Sequence, residues 1–171
     1  MKKRCLLAVA IIGVLALTQG VRAESNHRLG VGANYWTMLD DIDGSIDKDG
    51  FSLLATFQYK AATLLKFEAD LEVFPDGFQG VDGTAYAPEA YLVLGSTIYG
   101  AAGVGVLYSD NDFADDPFYG LRAGLDLEIA QQFHLDLNVN YRFAKWSSPD
   151  DMAKDVNADV LMLGAALRVD F

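Results

Sequence analysis

Residues 133 to 143 read FHLDLNVNYRF. Phe133, Leu135, Leu137, Val139, Tyr141 and Phe143 alternate with His134, Asp136, Asn138, Asn140 and Arg142, so one face is wholly apolar and the other wholly polar. A period of two sustained over this length predicts an extended strand with two chemically different sides. The pattern returns in LKFEADLEV (65–73), where Leu65, Phe67, Ala69, Leu71 and Val73 oppose Lys66, Glu68, Asp70 and Glu72. It returns again in YGLRAGLDLEI (119–129) and in LGAALRVDF (163–171).

Working outward from these segments gives eight expected strands, at about 27–37, 50–60, 63–74, 85–95, 98–109, 118–129, 132–144 and 158–171. Most have the length a tilted strand needs to cross hydrocarbon, roughly 9 to 11 residues, and about twice that of an ordinary globular strand. Periodicity alone does not say which face points outward, and a water-soluble barrel would turn the charged set out. The connections discriminate. LDDIDGSIDKDG, PDGFQGVDGT, SDNDFADDP and WSSPDDMAKDVNA are long, KAA, GST and AQQ are short, and the two kinds alternate without exception. Tight turns at one end and long loops at the other are the habit of outer-membrane barrels, with both chain ends on the short-turn, periplasmic side.

Aromatic placement points the same way. On the apolar face Tyr35, Phe51, Tyr86, Tyr108, Tyr119, Tyr141 and Phe143 lie at the long-loop ends of their strands, and Tyr59, Phe133 and Phe171 at the short-turn ends. Between them the face is mainly Leu, Val and Ala, which matches an aliphatic band with an aromatic girdle at each headgroup level.

The first 23 residues read differently. Lys2, Lys3 and Arg4 precede an apolar run from Cys5 to Leu17, and Val21-Arg22-Ala23 supplies small residues, which predicts a secretory signal cleaved after Ala23. The run is 13 residues, below the roughly 18 to 20 a spanning helix needs. Cys5, the only cysteine, leaves with the signal, so neither a disulfide nor a lipid anchor is expected. The signal holds four of the 13 basic residues and none of the 24 acidic ones, leaving nine bases against 24 acids, a net charge of -15. A chain so acidic excludes nucleic acid as a partner.

The strand series and the terminal LGAALRVDF together resemble the small eight-stranded outer-membrane proteins of the OmpA-transmembrane-domain and OmpX type. The resemblance implies an all-β, antiparallel up-and-down transmembrane barrel over residues 24–171, multi-pass in the outer membrane of a Gram-negative bacterium. Outer-membrane lipids would then cover the apolar face. Phe171 would end the signal that the barrel-assembly machinery reads, the protein would be a monomer, and no further domain is expected after Phe171. Such a likeness specifies architecture and says little of biochemical function.

Two strands depart from the pattern. Pro88 falls within the fourth and has no N–H for the ladder, so a bulge or a position near the long-loop rim is expected there. GAAGVGV in the fifth strand alternates poorly, although small residues could relieve crowding in a narrow barrel.

Three constellations could carry chemistry. The inward positions hold Lys66, Glu68, Asp70, Glu72, Glu89, Arg122, Asp126, Glu128, Asp136, Arg142 and Arg168, which in so narrow an interior must pair with one another or with water. Arg122 and Arg142 are the expected partners of Glu72 and Glu89. The two readings of this set are a salt-bridged polar plug and a narrow, carboxylate-lined path for cations or small solutes.

The long connections carry 14 Asp and no Glu, and Asp43, Asp47 and Asp49 are weak candidates for a divalent cation. SIDKDG mimics the start of a calcium loop, but the twelfth position from Ser45 is Thr56 where a bidentate Glu belongs, so an EF-hand is rejected. Catalysis has little to stand on. His27 and His134 are the only histidines, His134 stands beside Asp136 with no serine nearby in sequence, and Ser96 lies in another turn. No cofactor motif occurs, and the expectation is a non-enzymatic protein with a structural or surface-interaction role. The alternatives are a small porin-like channel and a soluble exported barrel with an apolar ligand inside.

Overall fold

The computed structural model describes residues 25–39, 48–75, 78, 83–109, 112–143 and 159–171. Ten extended segments follow in chain order: β1 (His27–Met38), β2 (Asp49–Ala62), β3 (Leu65–Phe74), β4 (Ala85–Gly95), β5 (Ile98–Gly105), β6 (Tyr108–Ser109), β7 (Asp112–Phe113), β8 (Phe118–Ala130), β9 (Phe133–Phe143) and β10 (Val160–Asp170). Eight of them make an antiparallel wall, while β6 and β7 form a two-rung ladder beyond β5 at the long-loop end. β1 pairs with β10 and β3 with β4, so the wall closes and offers no free edge. The alternating segments of the sequence therefore form an eight-stranded up-and-down barrel, with the expected strand limits met to within a few residues.

The register fixes the barrel's shape. From Tyr86 the pairings run through Val73, Leu53, Ala33, Ala165, Leu137 and Leu125 to Ile98. Tyr86 itself pairs with Tyr108, ten residues further along the same stretch of chain as Ile98. A stagger of ten over eight strands tilts the strands by about 40° and leaves an interior that side chains nearly fill.

Which face is outside is now plain. Ile98 is 75% exposed, Phe51 69% and Leu53 58%, all on the outer surface, whereas Glu72 and Asp136 are 0% exposed and Arg168 1%. Water as the surrounding solvent would select the reverse. Hydrocarbon outside and a paired polar interior satisfy both sets, because a closed barrel leaves no backbone group to face lipid. The outer rings cluster at the two ends. Tyr35 lies 5.2 Å from Phe51 and Tyr119 5.8 Å from Phe143 at the long-loop end, and His27 lies 5.2 Å from Tyr59 and 6.0 Å from Phe171 at the short-turn end. Phe143 is itself buried, between Tyr119 and Tyr141.

The bulge expected at Pro88 is not formed. Pro88 stays in register opposite Leu71, and its carbonyl accepts the Val106 N–H at 3.2 Å. In an antiparallel pair a residue's N–H and C=O point to the same neighbour, so the missing donor faces Val106. There, near the long-loop rim, β5 has already ended at Gly105 and the β4 ladder resumes only at Tyr108. The register instead shifts beside two short turns, between Lys60 and Ala62 and between Glu128 and Ala130.

Poor alternation in β5 has a steric cause. Gly103 and Gly120 pair across β5 and β8 beneath the inward ring of Tyr91, where a Cβ on Gly120 would lie 3.1 Å from two ring carbons. Side chains at these positions would displace the ring.

Candidate functional site

Among the described residues the lumen is where the fold gathers buried ionisable groups, and it does so because each strand sends alternate residues inward. At the short-turn end the Asp126 carboxylate receives Arg28, Lys66 Nζ at 3.1 Å and His134 Nδ1 at 3.0 Å. Asp170, on β10 and directly opposite Arg28, receives Arg28 and Lys60 Nζ, the latter at 2.8 Å.

The middle of the lumen is built on Arg122 and Arg168. Arg122 spans Glu68 and Asp70, reaching Asp70 at 2.8 Å. Arg168 reaches Asp136 at 2.9 Å and Glu68 at 3.1 Å, and Gln58 donates to Glu68 at 2.6 Å. Asn138 donates to Asp136 at 2.6 Å. Nearer the long loops, Arg142 bridges Glu72 and Glu89. Asn34 and Ser52 also donate to Glu72, and the Tyr91 hydroxyl donates to Glu89 at 2.7 Å. The Tyr91 ring lies flat against Arg122, 4.1 Å from ring centroid to guanidinium carbon, which couples the middle and upper groups.

Above this network the inward face turns apolar. Trp36, Phe74, Phe78, Ala85, Ala87, Val160 and Met162 are buried together, with Met38, Leu107 and Phe118 packed against them. Phe78 stacks on Phe74 at 3.8 Å and meets Trp36 edge-on at 5.1 Å. The lumen thus carries an aromatic stopper at the long-loop mouth and a charged lattice below it.

The expected inward set is brought together except at one end. Glu68, Asp70, Glu72, Glu89, Arg122, Asp126, Asp136, Arg142 and Arg168 are all buried inside, as is Lys66. Glu128 is exposed instead: still in register opposite His134, it is the last residue paired before the register shift at the short turn and lies at the open mouth of the barrel. The expected pairing of Arg122 with Glu72 or Glu89 is replaced by Glu68 and Asp70, since strand tilt sets Arg122 lower in the barrel than the rung of Arg142.

Arg28, Lys60 and Asp170 belong to the lattice as well, beyond the inward set that alternation predicts. Parity would have found Arg28, which precedes outward Leu29 and Val31, had the glycines at 30 and 32 not thinned the polar side of β1. The stopper leaves no period-two signal, because its residues sit on the face that is polar elsewhere.

Of the cation candidates, Asp43 and Asp47 lie outside the described residues. Asp49 opens β2, in register opposite Thr37 of β1. Among the described residues no group of three or more metal-ligating side chains is placed to hold an ion. His134 is engaged with Arg28, Asp126 and Asp170. Phe171 continues the β10 edge, its N–H donating to the His27 carbonyl at 3.1 Å.

No protein-family model matches the sequence, and no curated protein sequence does. Similarity appears among solved structures. Neisserial surface protein A (NspA) superposes with a TM-score of 0.61 at 17% identity, over 86% of this chain and 98% of that one. The N-terminal β-barrel domain of Pseudomonas aeruginosa OprF gives 0.55 at 13% identity, with the same coverage of 86% and 98%. Closure, stagger, outward grease and this structural likeness agree: the chain has the fold of the small eight-stranded outer-membrane β-barrels.

Proposed function

We propose that the protein is a non-enzymatic, integral outer-membrane barrel with a structural or surface-interaction role, anchored by lipid and presenting acidic loops to the outside. The observation that carries this is the inversion of the two faces, with Ile98, Phe51 and Leu53 outside and a dense ion lattice within. Six buried carboxylates line the lumen, Glu68, Asp70, Glu72, Glu89, Asp126 and Asp136, against five buried cations, Arg28, Lys66, Arg122, Arg142 and Arg168. That near balance leaves most of the charge of -15 to the long connections, whose sequences carry 14 Asp and no Glu. In this reading the barrel-assembly machinery engages the β10 end at Phe171, and divalent cations bind the acidic loops weakly.

The alternative is a narrow path for cations or small solutes. The surplus carboxylate favours it, but the stacked rings of Trp36, Phe74 and Phe78 oppose it by leaving ions nothing to replace their hydration shell.

Detergent dependence tests the proposal. The protein should fold only in micelles or bilayers, and the folded form should migrate faster on a gel than the boiled form. A monodisperse, soluble monomer without detergent would overturn it.

A further inference from the structure

The short-turn mouth of the barrel opens into a polar cavity of about 550 Å³ that the lattice does not fill. Lys60, Lys66, Thr63, Gln131 and Gln132 are among the residues that line it, as are the carboxylates of Glu128 and Asp170. Lys66 is the deep member, 4% exposed, and its ammonium group has three protons to place. One goes to Asp126 at 3.1 Å, a carboxylate that Arg28 and His134 also occupy, and the nearest aromatic face, Tyr99, stands 6.0 Å off. A buried ammonium short of acceptors is costly, so the cavity beside it calls for oxygen atoms.

We infer that this vestibule binds a small oxyanion, a carboxylate or a phosphate, entering from the short-turn side. Lys66 holds it from below, Lys60 from the wall, and the Gln131 and Gln132 amides and Thr63 hydroxyl offer further donors. Asp170 is paired with Arg28 as well as Lys60, so it opposes the ligand less than a free carboxylate would and leaves Lys60 shared between it and the anion. Glu128, exposed at the rim, does oppose it and keeps the affinity low.

The test is a titration of the folded protein in uncharged micelles with acetate, inorganic phosphate, ethanolamine or sodium chloride at matched ionic strength, followed through the backbone amide resonances of Thr63, Gln131 and Gln132. Acetate and phosphate should each give a saturable shift, and the tighter of the two identifies the preferred class. Ethanolamine and chloride should give none. Lys66→Met should weaken binding roughly tenfold or more, and Glu128→Gln should strengthen it. If Lys66→Met fails to fold, Lys60→Met on the rim carries the same expectation. Absence of a saturable shift, an equal shift with chloride, or binding that survives in the lysine variant would each overturn the inference.

Discussion

Arg142 holds two carboxylates, Glu72 and Glu89, each fully or almost fully buried. An ion pair in such a place contributes little net stability relative to an apolar substitute, but removing one partner strands the other. Arg142→Met should therefore cost about 3 to 5 kcal/mol, read from the urea midpoint of the folded protein in micelles. Adding Glu72→Gln and Glu89→Gln should recover most of that loss, and a triple variant no better than Arg142→Met would contradict this account of the lattice. Gly120 poses a different question, of volume. The three atoms nearest an added methyl all belong to the Tyr91 side chain, so Gly120→Ala should destabilise the wild type and do so much less in a Tyr91→Ala background. A double-mutant cycle should give a coupling of about 0.5 to 3 kcal/mol.

β8 shows at the level of the element why the two faces cannot be exchanged. Leu125 is 41% exposed near the middle of the outer face, and its neighbour Asp126 is 6% exposed within. Leu125→Arg should cost about 2 to 4 kcal/mol in a bilayer, by equilibrium unfolding from liposomes, because the new charge must leave the midplane or drag water to it. β4 offers the opposite case. Pro88→Thr restores an N–H facing the Val106 carbonyl, and should gain about 0.5 to 1.5 kcal/mol if that rung closes. Elements such as β3 and β9 were legible from sequence because an amphipathic strand states its two environments in every residue pair. β1 and β5 were less so, since Gly30, Gly103 and Gly105 leave a face blank where another strand's ring or long side chain fills it, and Gly32 lies close against Ala165 and Ala166. Cross-lumen partners such as Arg122 with Asp70 depend on the stagger of ten, which no single strand encodes.

Across the whole molecule, the strands deliver alternate, mostly polar side chains to one narrow interior, and the closing pair β1 and β10 ties the two ends of the barrel together through Arg28 and Asp170. The interior is obstructed twice over, by apolar rings at one mouth and by paired charges beneath. An ion entering from the long-loop side must shed water against Trp36 and Phe78, then displace Arg142 or Arg122 from carboxylates that each already shares. Two barriers in series make a specific prediction. The wild type should be electrically silent in planar bilayers at high salt, and so should Trp36→Ala combined with Phe74→Ala, because removing the stopper leaves the lattice intact. Discrete conductance steps in the wild type would restore the channel reading. Steps only in the double variant would show that the rings alone hold the barrel shut.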